Sequence, residues 1–138
     1  MVNSNNIYKA GGIIIKDKRI LVEKSRNREF FIAPGGSIEK GEKPEQALVR
    51  ELLEEFKIKV KVSDLEKFGT FRHPAAGQDG KMVCMEVFLV KAFSGEIIPD
   101  NEVEEVRWIT SNVPKEIKVG SIFEHEVIPR LKEEGLID

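Results

Sequence analysis

The chain is expected to fold as an α/β protein with a mixed β-sheet and helices on both of its faces. Three observations predict this. Strand-like and helix-like segments intermingle without the strict strand-helix alternation of a doubly wound parallel sheet. The run "MVCMEVFLVKAF" (82–93) is apolar on both faces except at Glu86, as a central strand covered from both sides would be. One segment, Pro44 to Phe56, carries Leu48, Leu52 and Phe56 at a spacing of four, the period of an amphipathic helix. At 138 residues the chain is expected to form a single domain, 1–138, large enough for its own core.

The elements follow in order. Residues 7–15 and 19–25 are β-rich and joined by Lys16-Asp17-Lys18, which predicts a hairpin. "FFIAPGG" ends a short strand in a turn, and Pro44 suits the first position of the helix that follows. Alternation resumes at Ile58, and a further extended segment runs through Phe68 to Phe71. The polar loop "RHPAAGQDGK" then leads into the central strand. A turn at Ser94-Gly95, an acidic loop "PDNEVEE" and the strand "VRWIT" come next. Ser121 to Glu124 has the form of a capping box and Gly135 that of a stop, so a C-terminal helix is expected, with Pro129 kinking it or moving its start.

Composition narrows the function. A net charge of −2 provides no global basic field, which argues against a protein that grips duplex nucleic acid. The single cysteine, Cys84, lies in an apolar run, excludes an internal disulfide and is expected to be a small buried hydrophobe. The N-terminus "MVNSNN" is polar, and no apolar run approaches the ~20 residues of a membrane span, so no membrane contact and a cytoplasmic location are expected. A homodimer is compatible with the composition.

The chemistry concentrates in "PGGSIEKGEKPEQALVRELLEEF". At about 100° per residue, Glu51, Glu54 and Glu55 fall together at the edge of the apolar stripe. Like charges one turn apart cost a few tenths of a kcal/mol, about 0.2–0.5 per pair, so something positive should offset them. Arg50 alone cannot neutralise three carboxylates. A hard divalent cation, which prefers oxygen ligands, answers the need better; a solvated acidic face is the plain alternative.

The order Gly36, five residues, Glu42, seven residues, Arg50-Glu51-Leu52, one residue, Glu54-Glu55, one residue, Lys57-Ile58 closely resembles the Nudix box. That box is the signature of hydrolases that cleave a nucleoside diphosphate linked to another group. It spans 23 of the 138 residues and departs from the family pattern at Lys57, where glycine is usual. A left-handed lysine costs about 1 kcal/mol, so a different helix end is expected there. The resemblance implies a Nudix-type α/β/α sandwich and a Mg²⁺ site, with Mn²⁺ as an alternative. Glu51, Glu54, Glu55 and the Gly35 carbonyl would be the ligands; Gly36 and Glu42 would be supporting residues, with Arg50 pairing to Glu42 and belonging to the catalytic group. Such cations neutralise the diphosphate, polarise phosphorus and acidify water for attack. The proton acceptor is Glu54 or Glu102, with Glu105 behind them.

For substrate contacts, Arg26 and Arg28, together with Lys24, lie just upstream of the glycine turn. Phe30 and Phe31 face opposite ways in an extended strand, one into the core and the other toward substrate, with Phe31 the candidate to stack on a nucleobase. His73 lies in the loop expected to tune specificity. Pro74, sixteen residues after Ile58, resembles the pattern of ADP-ribose-cleaving members. The leading expectation is a nucleoside triphosphate or modified nucleotide hydrolysed with release of pyrophosphate. The alternatives are a nucleotide sugar such as ADP-ribose, and a catalytically silent domain that binds a nucleotide or a partner.

Overall fold

The computed structural model describes residues 5–75, 77–100 and 102–138; Met1 to Ser4 of the polar N-terminus, Ala76 of the polar loop and Asn101 of the acidic loop lie outside them. Strands β1 (Asn6–Ile13), β2 (Ile15–Lys16), β3 (Arg19–Ser25) and β4 (Gly35–Ser37) precede helix α1 (Pro44–Phe56). Strands β5 (Leu65–Pro74), β6 (Met82–Val90) and β7 (Val103–Ile109) precede helix α2 (Ile128–Glu133). One sheet has the order β4-β1-β6-β5 and the other β2-β3-β7. The first is mixed, because β1 runs parallel to β6 and antiparallel to β4. Strand β6 is internal in it, as its two apolar faces require.

The two helices lie on opposite faces, and strand alternation shows why. On β3, Ile20 and Val22 join the apolar cluster of Phe123, Val127, Ile128 and Leu131, while Leu21 joins that of Leu48, Leu52 and Phe56. On β6, Val87 belongs to the first cluster and Phe88 to the second. The result is an α/β sandwich with a mixed sheet.

Several expected boundaries move. Residues 7–15 are not one arm of a hairpin, because β1 pairs with β4 and β6 while the turn back onto β3 is made by Ile15–Lys16 and the Ile14 carbonyl, which accepts the Leu21 N–H at 3.0 Å. That hairpin is tight: Asp17 and Lys18 both adopt positive φ, 52° and 59°, matching the twist of the strands it joins. After Ile58 the alternation is one of burial only. Ile58 and Val60 fill the α1 cluster, yet Lys59 makes a lone bridge to Ser94 before a 3-10 turn at Val62–Asp64. Strand β5 runs on through Arg72, His73 and Pro74, paired with Cys84, Val83 and Met82, so these residues belong to a strand and not to the loop. The central strand stops at Val90, and β7 starts at Val103, which takes Glu104 and Glu105 out of the acidic loop.

At the C-terminal end Glu124 N–H donates to the Gly120 carbonyl at 2.9 Å and the Ser121 hydroxyl faces His73 Nδ1 at 3.2 Å, so no capping box forms. The proline makes itself felt as a π-helical turn over Phe123–Val127, closed by Ile128 N–H on the Phe123 carbonyl. Pro129 has no N–H to continue a regular ladder, and a wide turn accommodates that lack. Among the described residues no helix is long and apolar enough to cross a membrane.

Candidate active site

The glycine turn is fixed from two sides. Gly12 N–H donates to the Pro34 carbonyl at 2.8 Å, and Gly35 and Gly36 pair with Gly11 and Ala10 of β1. Gly35 has φ +138°, and a Cβ there would stand 2.1 Å from the Ala10 carbonyl oxygen, so no side chain fits. A Cβ on Gly36 would lie 2.5 Å from the Glu51 carboxyl carbon. The turn therefore packs directly against Glu51 of α1.

Arg50 binds the loop to the helix. Its Nε donates to Glu42 Oε2 at 2.8 Å, its Nη2 to Glu42 Oε1 and the Ser37 carbonyl at 3.0 Å each, and its Nη1 to Glu51 Oε1 at 2.9 Å. The fork on Glu42 is bidentate, the strong geometry for this pair. Glu42 also accepts the Glu39 N–H at 3.0 Å. These bonds, the guanidinium first, hold its carboxyl down to about 2.

Glu51 and Glu55 have the opposite bias. Burial pushes both carboxyls up, most strongly by desolvation; Arg50 resists this at Glu51, whereas Glu51, Glu102, Glu54 and Asp100 add repulsion at Glu55. Glu54 is half-exposed, 3.5 Å from Arg50 Nη1. Glu102 approaches from the loop before β7, which is tied by Asp100 N–H to the Glu55 carbonyl at 2.9 Å and by Arg26 N–H to the Glu102 carbonyl at 3.1 Å. Glu105 instead pairs with Arg107 at 2.8 Å.

Two residues that sequence reasoning missed complete the electrostatics. Glu23 of β3 is 2% exposed, its Oε2 has no hydrogen-bond partner, and its carboxyl is pushed up to about 8 by burial and by Glu55 and Glu51. Lys9 of β1 is partly desolvated, which lowers its pKa, with Arg28 acting in the same direction and Glu23 and Glu51 opposing. The available signal was an acid at an inward position of an alternating strand, Leu21 then Glu23 in "RILVEKS".

A cavity of about 710 Å³ opens beside the glycine turn. Gly35, Gly36, Lys9 and Arg28 are part of its lining, as are Phe30, His73, Pro74, Gly120 and Ser121. Arg28 lies 5.6 Å from the centre of the Phe30 ring. His73 Nε2 meets Glu126 at 3.2 Å. Phe31 is not on this wall: it is 3% exposed in the core beneath Val119 and Phe123. The pairing of Phe31 with Lys118 and Gly120 turns its side chain inward and leaves Phe30 facing the cavity. Arg26 is exposed and outside the lining, and Lys24 is engaged with Glu104.

Among the described residues no three carboxylate, imidazole or thiol groups converge as a ready ligand set; the Arg50 guanidinium takes up the Glu51 and Glu54 carboxylates instead. The donor chemistry nevertheless suits a hard divalent cation. Glu51 and Glu55 repel Glu23; Glu51, Glu54 and Glu102 repel Glu55; and one carboxylate oxygen, on Glu23, is buried without a partner.

A glycine turn feeding an acidic helix, held by an Arg-Glu fork against an α/β sandwich, defines the fold class of the Nudix proteins. Residues 7–131 match the NUDIX domain, and the chain belongs to that family. It is 35% identical over 121 residues to the ADP-ribose pyrophosphatase of Methanocaldococcus jannaschii, an alignment covering 85% of this chain and 67% of that protein. A MutT NUDIX hydrolase from Burkholderia pseudomallei superposes with TM-score 0.72 at 24% identity, covering 93% of this chain and 96% of the other. A MutT protein from Methanosarcina mazei does so with TM-score 0.73 at 17% identity, covering 98% and 99%. These two likenesses establish the fold.

Proposed function

We propose that the protein is a Mg²⁺-dependent hydrolase, with Mn²⁺ as an alternative, that cleaves the diphosphate of a nucleotide sugar such as ADP-ribose by attack of water at phosphorus. Nudix membership supports the hydrolase class. The observation that carries the substrate choice is the 35% identity to an ADP-ribose pyrophosphatase over 85% of this chain. It puts the nucleotide sugar ahead of the nucleoside triphosphate that leads on sequence grounds. Pro74 on the cavity wall agrees with that order.

In this reading Glu51, Glu54, Glu55 and the Gly35 carbonyl hold the cation. When bound, it neutralises the diphosphate, polarises phosphorus and lowers the pKa of water. Lys9 and Arg28, cations in the cavity lining, meet the diphosphate and offset the charge that develops as water adds. Phe30 offers a face for the base, and His73 and Ser121 offer polar atoms for base or sugar. Glu54, half-exposed on α1, accepts the water's proton, with Glu102 as the neighbouring alternative. Arg50 acts through Glu42, Ser37 and Glu51 and so is a positioning residue.

The test is hydrolysis of ADP-ribose and of a nucleoside triphosphate panel with Mg²⁺, with products identified chromatographically. AMP with ribose 5-phosphate supports the proposal, whereas pyrophosphate from a triphosphate restores the other substrate class. No turnover on any diphosphate, together with unchanged nucleotide binding in Glu54→Gln, would identify a silent binding domain.

A further inference from the structure

We propose that Glu23 is an additional carboxylate ligand of the cation site, supplied by strand β3 on the sheet face toward α1. The inference rests on the cation reading above and adds to the Nudix-box residues one that lies outside the box.

Glu23 is clamped on both edges: its N–H donates to Ile32 at 2.9 Å, Ile32 N–H donates back at 2.7 Å, and Val106 of β7 stands opposite. With the main chain so fixed, the side chain has one direction to take. Leu21, two residues earlier, packs into the α1 cluster, so Glu23 lies on the face toward α1. Glu55 and Glu51 are the acids whose charge bears most on it.

A carboxylate 2% exposed needs a hydrogen-bonded partner, a counter-charge or a proton. Glu23 Oε2 has no partner, and no ion pair to Glu23 forms among the described residues. Lys9 and Arg28 act on it only as charges at a distance, both favouring ionisation. A core position with no polar task would favour a residue like Leu21. An acid here, held by its backbone on the face toward α1 with a buried oxygen left without a partner, suits an oxygen-ligating divalent cation shared between strand and helix. Glutamine would fill the same volume without the charge.

The experiment measures Mn²⁺ binding by electron paramagnetic resonance and calorimetry at pH 7.5 for the full chain and its Glu23→Gln, Glu23→Asp, Glu55→Gln and Glu105→Gln variants. Thermal unfolding is followed in EDTA and in Mn²⁺. Glu23→Gln is expected to unfold in EDTA at or above the parent temperature, yet to lose roughly tenfold or more in Mn²⁺ affinity, the scale of a lost site-shaping group. Its Mn²⁺-induced rise in unfolding temperature should shrink with it. Glu23→Asp, with the charge kept and the reach shortened, should fall between. Glu105→Gln should match the parent. Parent-like Mn²⁺ affinity in Glu23→Gln alongside weakened binding in Glu55→Gln would overturn this inference and leave the cation site standing. No Mn²⁺ binding by the parent protein would overturn both.

Discussion

Replacing Lys57 with glycine should stabilise the protein. Lys57 closes α1 with φ 61° and ψ 21°, and its N–H donates to the Leu53 carbonyl at 3.1 Å. The helix thus ends in the left-handed conformation that glycine would adopt, and the different helix end expected for lysine does not form. The reason is the ladder bond to Leu53, reinforced by Nζ contacts with Asp100 at 2.8 Å and the Glu54 carbonyl at 3.3 Å. A side chain in that conformation costs about 1–2 kcal/mol. Against this, glycine forfeits an exposed ion pair worth about 0–1 kcal/mol and adds roughly 0.4–1 kcal/mol of unfolded-chain entropy. The balance, taken at the middle of these ranges, favours Lys57→Gly by about 0.3 kcal/mol, or roughly 1–2 °C for a domain of this size. Lys57→Ala is the decisive control, because it keeps the strain and loses the ion pair; it should lie below the parent by a few tenths of a kcal/mol, within ~0–1. Urea and thermal unfolding at pH 7 read all three proteins. In high salt the gap between parent and alanine should close while glycine stays above alanine. Glycine no more stable than alanine would refute the strain argument.

Three more outcomes are expected. Glu42→Gln should alter the acid limb of stability: Glu42 is held at about 2, below its ordinary 4.5, so its contribution is complete above pH 4.5 and lost as pH falls toward 2. Urea midpoints of parent and variant should therefore converge near pH 2; a constant gap down to that pH would contradict the fork. Gly36→Ala, whose Cβ would meet the Glu51 carboxyl at 2.5 Å, should keep the fold by circular dichroism but lower kcat about 10-fold or more, since small displacements at a reacting centre cost on that scale. Phe30→Ala should raise KM with little loss of stability, whereas Phe31→Ala, emptying a core site, should cost about 3–5 kcal/mol in unfolding experiments.

The α1 segment was the most legible part of the chain. Pro44 and the apolar spacing are local features, and they place the helix at Pro44–Phe56; its left-handed end at Lys57 was not legible. Strand boundaries were less legible. Residues 7–15 divide between two sheets, and His73 joins β5, because partners far along the chain decide where pairing stops. Of the cavity, Arg28 and His73 were accessible to sequence reasoning, whereas the choice between Phe30 and Phe31 was not. Alternation says that they face apart; only their pairing with residues 118–120 says which face is the core.

By itself the sequence determined the spacing of Gly36, Glu42, Arg50, Glu51, Glu54 and Glu55 along one loop and helix, and with it the family. Covalent spacing and helical pitch carry that information, so no distant contact is needed. Only the tertiary structure brought Lys9 and Glu23 to the acidic helix, set Phe30 on the cavity wall and drew the Glu102 loop against the end of α1. Those placements depend on strand register, and a slip of one residue would turn every one of these strand side chains to the other face.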